Sequence, residues 1–207
     1  MRLSVPVVAA MVVCACGVAP EIRVDESKGI PPVKGTTEVQ LGTLNCGMPI
    51  TSGDVTVQTK MVAGGCELSF DRDVPVLKAE DYTNIPDLKA ATALVQRIEL
   101  TVKRLAFTDG ATNMSLDLAT RVTSAQLSVN GQLVAEKESL TSLPKTVTLS
   151  GAALEQMKSK IDARQPASVR TRVVMVLPAM PPPPQRLVID YDSQPAIILG
   201  AKAPTFF

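Results

Sequence analysis

The sequence predicts a mainly β protein, an antiparallel β-sandwich with one short crossover helix at about residues 151–163. Two observations predict this class. Apolar and polar residues alternate over many short segments, which is the period of a strand with one buried face. Turn-forming pairs separate these segments, and only residues 152–163 hold apolar side chains at helical spacing. Strands without long helices between them pack as two antiparallel sheets.

The first block of strands is predicted over residues 38–70. Turns are expected at residues 45–47, 51–54 and 63–65, where Gly, Asn, Asp and Ser cluster. The inward positions of the three strands between these turns are Val39 and Leu41, then Val55, Val57, Thr59 and Met61, then Cys66, Leu68 and Phe70. The block is therefore predicted to form a small antiparallel meander.

Residues 71–93 are predicted to form a charged connection with a short helical turn near residues 87–93. Acidic residues lie close together at 71–73, 79–82 and 85–88. None of these windows has the alternating acids, central Gly and final Glu of a calcium-binding loop. The acidic residues are therefore interpreted as solvated surface groups.

The second block of strands is predicted over residues 94–140. Its first strand alternates through Ile98, Leu100 and Val102, and resumes at Leu105 and Phe107 after a one-residue bulge. A turn at Asp109-Gly110 and a short strand with Leu116 and Leu118 follow. Asn130-Gly131 predicts a type I′ hairpin between residues 122–129 and 132–136, because both turn residues tolerate a positive φ.

The only predicted helix, over residues 152–163, has Ser150 as its N-cap. A strand follows at residues 168–177, and its second half is apolar on both faces, as in a covered strand. Residues 181–184 are four consecutive prolines, which form a stiff connection without ladder donors.

The last strands are predicted at residues 186–192 and 196–199, with Pro195 breaking the pattern between them. Phe206 and Phe207 are expected to pack onto the domain. One sandwich over residues 39–207 is the first interpretation of the whole. Two sub-modules, 39–90 and 91–207, are the alternative.

Residues 1–16 carry one cation, then an apolar run over residues 3–13, then small residues. This order is typical of a secretory signal, and the run is shorter than the roughly 20 residues of a membrane-spanning helix. Val13-Cys14-Ala15-Cys16 resembles the lipobox of bacterial lipoproteins. The resemblance implies that residues 1–15 are a signal peptide and that Cys16 is acylated, for example with palmitate.

Cys14 follows a bulky residue and fits the lipobox poorly. The alternative is an ordinary secretory signal that is cut near Ala15 or Ala19. Gly17, and not Asp, follows Cys16, and by the same resemblance this favours a lipid anchor in the outer membrane, facing the periplasm or the cell surface. Residues 16–38 are rich in Pro and Gly without a regular period, which predicts a flexible tether.

The two remaining cysteines, Cys46 and Cys66, lie in the exported part, where thiols meet an oxidising compartment. An even pair there predicts one disulfide bond. A reactive or metal-binding pair is the alternative, but it lacks the short Cys-x-x-Cys spacing.

Composition excludes several classes of function. A net charge of +1 does not suit a nucleic-acid binder, which needs a basic face for phosphates. The chain has no histidine, which removes histidine-based nucleophilic catalysis and the commonest metal ligand. Few aromatic residues are present to stack on bases or sugars. No cofactor, metal ligand or catalytic residue is assigned.

Two weaker features remain. Asp190 and Asp192 lie on one strand face at a spacing that a pair of catalytic carboxylates could have. Five cations near the helix exit predict a basic patch for an anionic lipid or polymer: Lys158, Lys160, Arg164, Arg170 and Arg172.

Three functions follow as hypotheses. The first is a lipid-anchored protein of the cell envelope whose β-domain binds or supports an envelope protein or polymer without catalysis. The second is an envelope hydrolase that uses only carboxylates, which requires two acids in one cleft. The third is a carrier of an apolar ligand, which requires a cavity inside the sandwich.

Overall fold

The computed structural model describes residues 21–42, 44–52, 55–85, 88, 95–180 and 183–200. In this part of the chain two antiparallel sheets pack against each other around one apolar core, which confirms the predicted β-sandwich. The strands are β1 Glu21–Val24, β2 Val33–Gln40, β3 Ile50–Ser52, β4 Val55–Val62, β5 Gly65–Leu77, β6 Val95–Asp109, β7 Met114–Ser115, β8 Ser124–Val129, β9 Gln132–Glu136, β10 Lys145–Thr148, β11 Ala167–Leu177 and β12 Arg186–Gly200. The helices are α1 Asp81–Asn84, α2 Leu118–Arg121, α3 Lys137–Leu140 and α4 Gly151–Asp162, with a 3₁₀ turn at Glu26–Lys28.

The first sheet is organised around β12. One side of β12 pairs with β6, and the other side pairs with β2 and then with β1. Strand β6 also pairs with β10 and with the short strand β7. The second sheet has the order β3-β4-β5-β11-β8-β9.

Strands from both predicted blocks share each sheet. β5 pairs with β11 in the second sheet, and β2 pairs with β12 in the first. A boundary near residue 90 would therefore cut across both ladders. Of the predicted meander, the pairing of β4 with β5 is confirmed. The strand predicted around Val39 is β2 and belongs to the other sheet, and β3 takes its place beside β4 at residues 50–52, where the start of a turn was predicted.

Helix α4 confirms the predicted crossover helix, since it links β10 of the first sheet to β11 of the second. Ser150 occupies the N-cap position in extended geometry, although its side chain forms no capping hydrogen bond. Met157 and Ile161 are buried against the core, because helical spacing places them on one face.

The predicted bulge and hairpin are both confirmed. The pairing of β6 with β12 shifts register at Lys103, which is the extra residue between Val102 and Leu105. Asn130 and Gly131 have φ values of 46° and 81° and join β8 to β9. Positive φ at both central positions is the signature of a type I′ turn.

The prediction of a flexible tether over residues 16–38 is wrong from Glu21 onward. Residues 21–40 form β1, the 3₁₀ turn and β2, and both strands add to the edge of β12. Val24 and Ile30 are fully buried. Pairing with a distant strand stabilises these short segments, and their local sequence pattern does not reveal it.

The sequence pattern predicted that Pro195 breaks the last strand. This prediction is wrong, because β12 runs without interruption from Arg186 to Gly200. β2 pairs with residues 186–193 and β1 with residues 197–200, so Pro195 lies in the gap between these two partners. A missing N–H costs little where no ladder partner is present on that side.

Two further predictions around the strand ends are corrected. Leu118 was expected in a strand but begins α2, whose first turn is capped by the Asp117 carboxylate accepting from the Ala119 N–H at 2.9 Å. Residues 71–77 were expected in a connection but continue β5. Other predicted features fall outside the described residues, namely the signal and Cys16, residues 53–54, the helical turn at residues 87–93 apart from Leu88, Pro181-Pro182 and the Phe206-Phe207 tail.

Candidate functional site

Arg72 occupies an inward position of β5, where the strand pattern calls for an apolar side chain. It shares the phase of Phe70 and Val74, both of which are buried, yet Arg72 itself is exposed. Its guanidinium lies 3.8 Å from the centre of the Tyr191 ring and donates a hydrogen bond of 3.0 Å to the Thr37 hydroxyl. Arg72 therefore bridges from the second sheet to the first at the rim of the sandwich.

Gly35 gives the Tyr191 ring its position. The two residues face each other in the pairing of β2 with β12, and a Cβ on Gly35 would collide with the tyrosine hydroxyl and ring. A glycine in a strand commonly marks such a close approach. The ring can therefore lie flat across β2 and offer its face to the guanidinium of Arg72.

Beneath Arg72 lies an apolar cavity of about 70 Å³ between the two sheets, here called the Arg72 cavity. Polar residues line mainly its mouth, since Thr37, Asp71, Arg72, Thr171 and Tyr191 are exposed or half-buried, and Ser193 is the buried polar residue of the lining. The buried part of the lining consists mainly of apolar side chains from five strands, including Phe70, Val74, Val102, Leu127, Val173 and Ile189. The cavity thus has a polar mouth and a mainly apolar interior.

The opposite, outer face of the second sheet carries an ion network. Asp71 accepts two hydrogen bonds from Arg172, of 2.7 and 2.8 Å, and one of 2.8 Å from Arg170. These guanidiniums, Arg172 before Arg170, hold the pKa of the Asp71 carboxyl at about 2, well below its ordinary value. Asp71 is thus ionised throughout the physiological pH range, and Asp73, which lies opposite Arg170 in the β5–β11 pairing, adds a second negative charge on this face.

This network forms one wall of an open groove of about 560 Å³, here called the outer groove. Asn130 at the hairpin turn forms part of the wall, and its position is fixed because its side-chain oxygen accepts from the Arg170 N–H at 2.8 Å. The first turns of α4 form the opposite wall, with Gln156 among its lining residues. The groove therefore presents guanidinium, carboxylate and amide groups on rigid elements.

The predicted basic patch is only partly assembled. The outer groove is lined by Arg170 and Arg172, but not by the other three cations of the prediction. Lys158 instead pairs with Glu155 at 3.0 Å on α4. Asp71 neutralises part of the charge of Arg170 and Arg172. The sequence does not reveal this pairing, because Asp71 lies 99 and 101 residues away from the two arginines.

Asp190 and Asp192 lie on one face of β12, as predicted, but not in a cleft. The Asp190 carboxylate accepts from the Thr36 hydroxyl at 2.6 Å, and Asp192 lies 3.6 Å from the Lys34 ammonium. Neither residue lines the Arg72 cavity or the outer groove. Each carboxylate is engaged by the neighbouring strand β2.

The predicted disulfide bond between Cys46 and Cys66 is present, with the two Cα atoms 5.7 Å apart. It joins the loop before β3 to the second residue of β5. Arg72, Gly35 and Asp71 were not identified as site residues from the sequence. Counting the alternation of β5 through Arg72 to Val74 and Val76 would have placed this arginine on the inward face.

Two searches of the described residues give negative findings. No group of three or more Asp, Glu or Cys side chains there has the arrangement needed to hold a metal ion. No helix in the same part of the chain is long and apolar enough to cross a membrane. Comparison of the whole chain with protein-family models, with curated proteins and with solved structures finds no match.

Proposed function

We propose that this chain is a lipid-anchored protein of the bacterial cell envelope whose β-sandwich binds an anionic polymer of the envelope without catalysing a reaction. The outer groove is the observation that carries the binding part of the proposal. Two arginines line it with largely exposed guanidiniums on a rigid sheet, so the carboxylates of a partner can accept hydrogen bonds from them. The lipobox-like segment ending at Cys16 supports the anchor, in the outer membrane.

The outer groove suits recognition better than hydrolysis. A carboxylate-dependent hydrolase needs one acid with a raised pKa beside a second acid. Asp71 has the opposite property, because its two arginine partners lower its pKa to about 2. It therefore serves to orient the two guanidiniums, which remain 52% and 63% exposed and able to contact a partner.

The anchor is tested with Cys16→Ala in the full chain expressed in a bacterium. We expect the wild-type protein to enter the detergent phase and to carry acyl chains on Cys16 by intact mass, because two or more chains hold a protein stably in lipid. Cys16→Ala should move to the aqueous phase. The matched control Cys14→Ala should remain in the detergent phase. An unacylated wild-type chain, cut elsewhere, would contradict the anchor.

The binding surface is tested by cosedimentation of the full-length Cys16→Ala chain with purified peptidoglycan, a carboxylate-bearing envelope polymer. We expect Arg172→Gln to reduce the bound fraction about tenfold, since it removes a charged hydrogen-bonding group from the outer groove. Lys158→Gln removes the same charge outside the groove and should bind as the parent does. Binding should weaken with salt but should not differ between pH 6 and 8, because Asp71 stays ionised in this range. Equal binding by Arg172→Gln and the parent would disprove the groove as the site.

A further inference from the structure

Arg72 differs from the other arginines of the second sheet in having no counter-ion. Within the described residues its guanidinium contacts the Thr37 hydroxyl and the Tyr191 ring but pairs with no carboxylate. Arg170 and Arg172, one strand away on the outer face, both pair with Asp71. A guanidinium has five N–H donors, and the bond to Thr37 uses one of them. Arg72 thus retains donors and a full positive charge at the mouth of the cavity.

The interior of the Arg72 cavity has the opposite chemistry. Val102, Leu127 and Val173 line it from different strands, and each is at most 8% exposed. The apolar walls of a cavity lose dispersion contacts unless an apolar group fills it. A cation without a carboxylate partner above a mainly apolar cavity is therefore complementary to a molecule with one anionic end and one aliphatic end.

We propose that the Arg72 cavity binds a short-chain aliphatic monocarboxylate. The carboxylate accepts hydrogen bonds from the free edge of the Arg72 guanidinium, and the chain enters the space between the sheets. Stacking on Tyr191 fixes the plane of the guanidinium, which favours the planar, two-point contact that arginine makes with a carboxylate.

The cavity volume limits the length of the chain. A cavity of about 150 Å³ takes up benzene, which has six carbons, so a volume of about 70 Å³ accommodates roughly three carbons. With its carboxylate at Arg72, a chain of roughly six carbons therefore fills the space with its last three carbons and spans the mouth with the others, whereas the additional carbons of a longer chain find no room. This inference goes beyond the proposed function, because the outer groove lies on the other face of the second sheet.

The proposal is tested by titrating hexanoate into the full-length Cys16→Ala chain. Binding is monitored by the NMR shifts of the methyl groups of Leu127 and Val173, with no detergent in the sample. Affinity should rise about fourfold for each methylene from butanoate to hexanoate and then level off at decanoate. Hexan-1-ol has the same chain without the charge, so it should bind at least tenfold more weakly. This comparison uses the unaltered binding domain and does not depend on the folding of a cavity variant.

Arg72→Gln should weaken hexanoate binding about tenfold or more, because it removes the charged donor. Arg164→Gln removes an equal charge at an exposed position after α4 and should leave binding unchanged. Absence of methyl shifts, equal affinity for hexan-1-ol, or unchanged binding by a folded Arg72→Gln protein would each overturn the proposal. Arg172→Gln should not affect hexanoate, so failure here and failure of polymer binding at the outer groove are separate results.

Discussion

Gly65→Ala is expected to lower the free energy of unfolding by about 3 kcal/mol or more. Gly65 begins β5 with φ of 151°, a backbone conformation that residues with a side chain rarely adopt. A Cβ at this position would also collide with the backbone carbonyl of Leu177, the last residue of β11. Because the obstacle is main chain held by a ladder, it cannot move aside without breaking the β5–β11 pairing.

Gly64→Ala is the matched control for this prediction. Gly64 has a positive φ of 99°, but a Cβ there would meet no atom within 4 Å. The control should therefore cost only about 1 kcal/mol, from backbone strain alone. Urea unfolding of both variants measures the difference. Equal losses for the two glycines would show that the contact with Leu177 has no energetic importance.

Replacing both Cys46 and Cys66 by alanine is expected to lower the free energy of unfolding by about 3 kcal/mol. The disulfide closes a segment with a sequence separation of 20, which contains the whole of β3 and β4. Without the bond, the unfolded chain has a higher conformational entropy, because residues 46–66 no longer form a closed loop. The lost stability should appear first at the β3–β4 edge, since β3 has only three residues.

Urea unfolding of the wild-type protein with and without a reductant provides the control. The reduced wild type should unfold at nearly the same denaturant concentration as the double variant, because both lack the cross-link. Cys46→Ala alone, which leaves one thiol, should match them. A wild-type midpoint that does not respond to complete reduction would disprove the stabilising role of the bond.

The strands and the helix that the sequence predicted share one property, which is that their own residues carry the signal. β6 alternates through Ile98, Leu100 and Val102, and the β8–β9 hairpin contains Asn130-Gly131. Residues 21–37 carry no such signal, because they become strands only where they pair with the edge of β12. The position of Pro195 also depends on strand pairing, because neither β1 nor β2 pairs with β12 at this residue.

The candidate sites were harder to predict than the strands, because they depend on contacts between distant residues. Arg72 contacts Thr37 and Tyr191, which belong to the other sheet. Asp71 pairs with arginines on β11, about half the chain length away. A charged triplet at residues 71–73 is typical of a loop, and only the pairing of β5 with β11 shows that it lies in the middle of a sheet.

The pairing of β1 with the end of β12 places Glu21 beside Gly200. Acylation of Cys16 would leave four residues, 17–20, between the lipid and the first strand, a span of at most about 17 Å for an extended chain. With an anchor at Cys16, such a short connection would keep the domain at the height of the headgroups, and the bilayer surface would largely set its orientation. Gly200 would then lie as close to the membrane as Glu21 does, so a reporter is better inserted in an exposed turn such as Asn130-Gly131 when the outer groove is not under study.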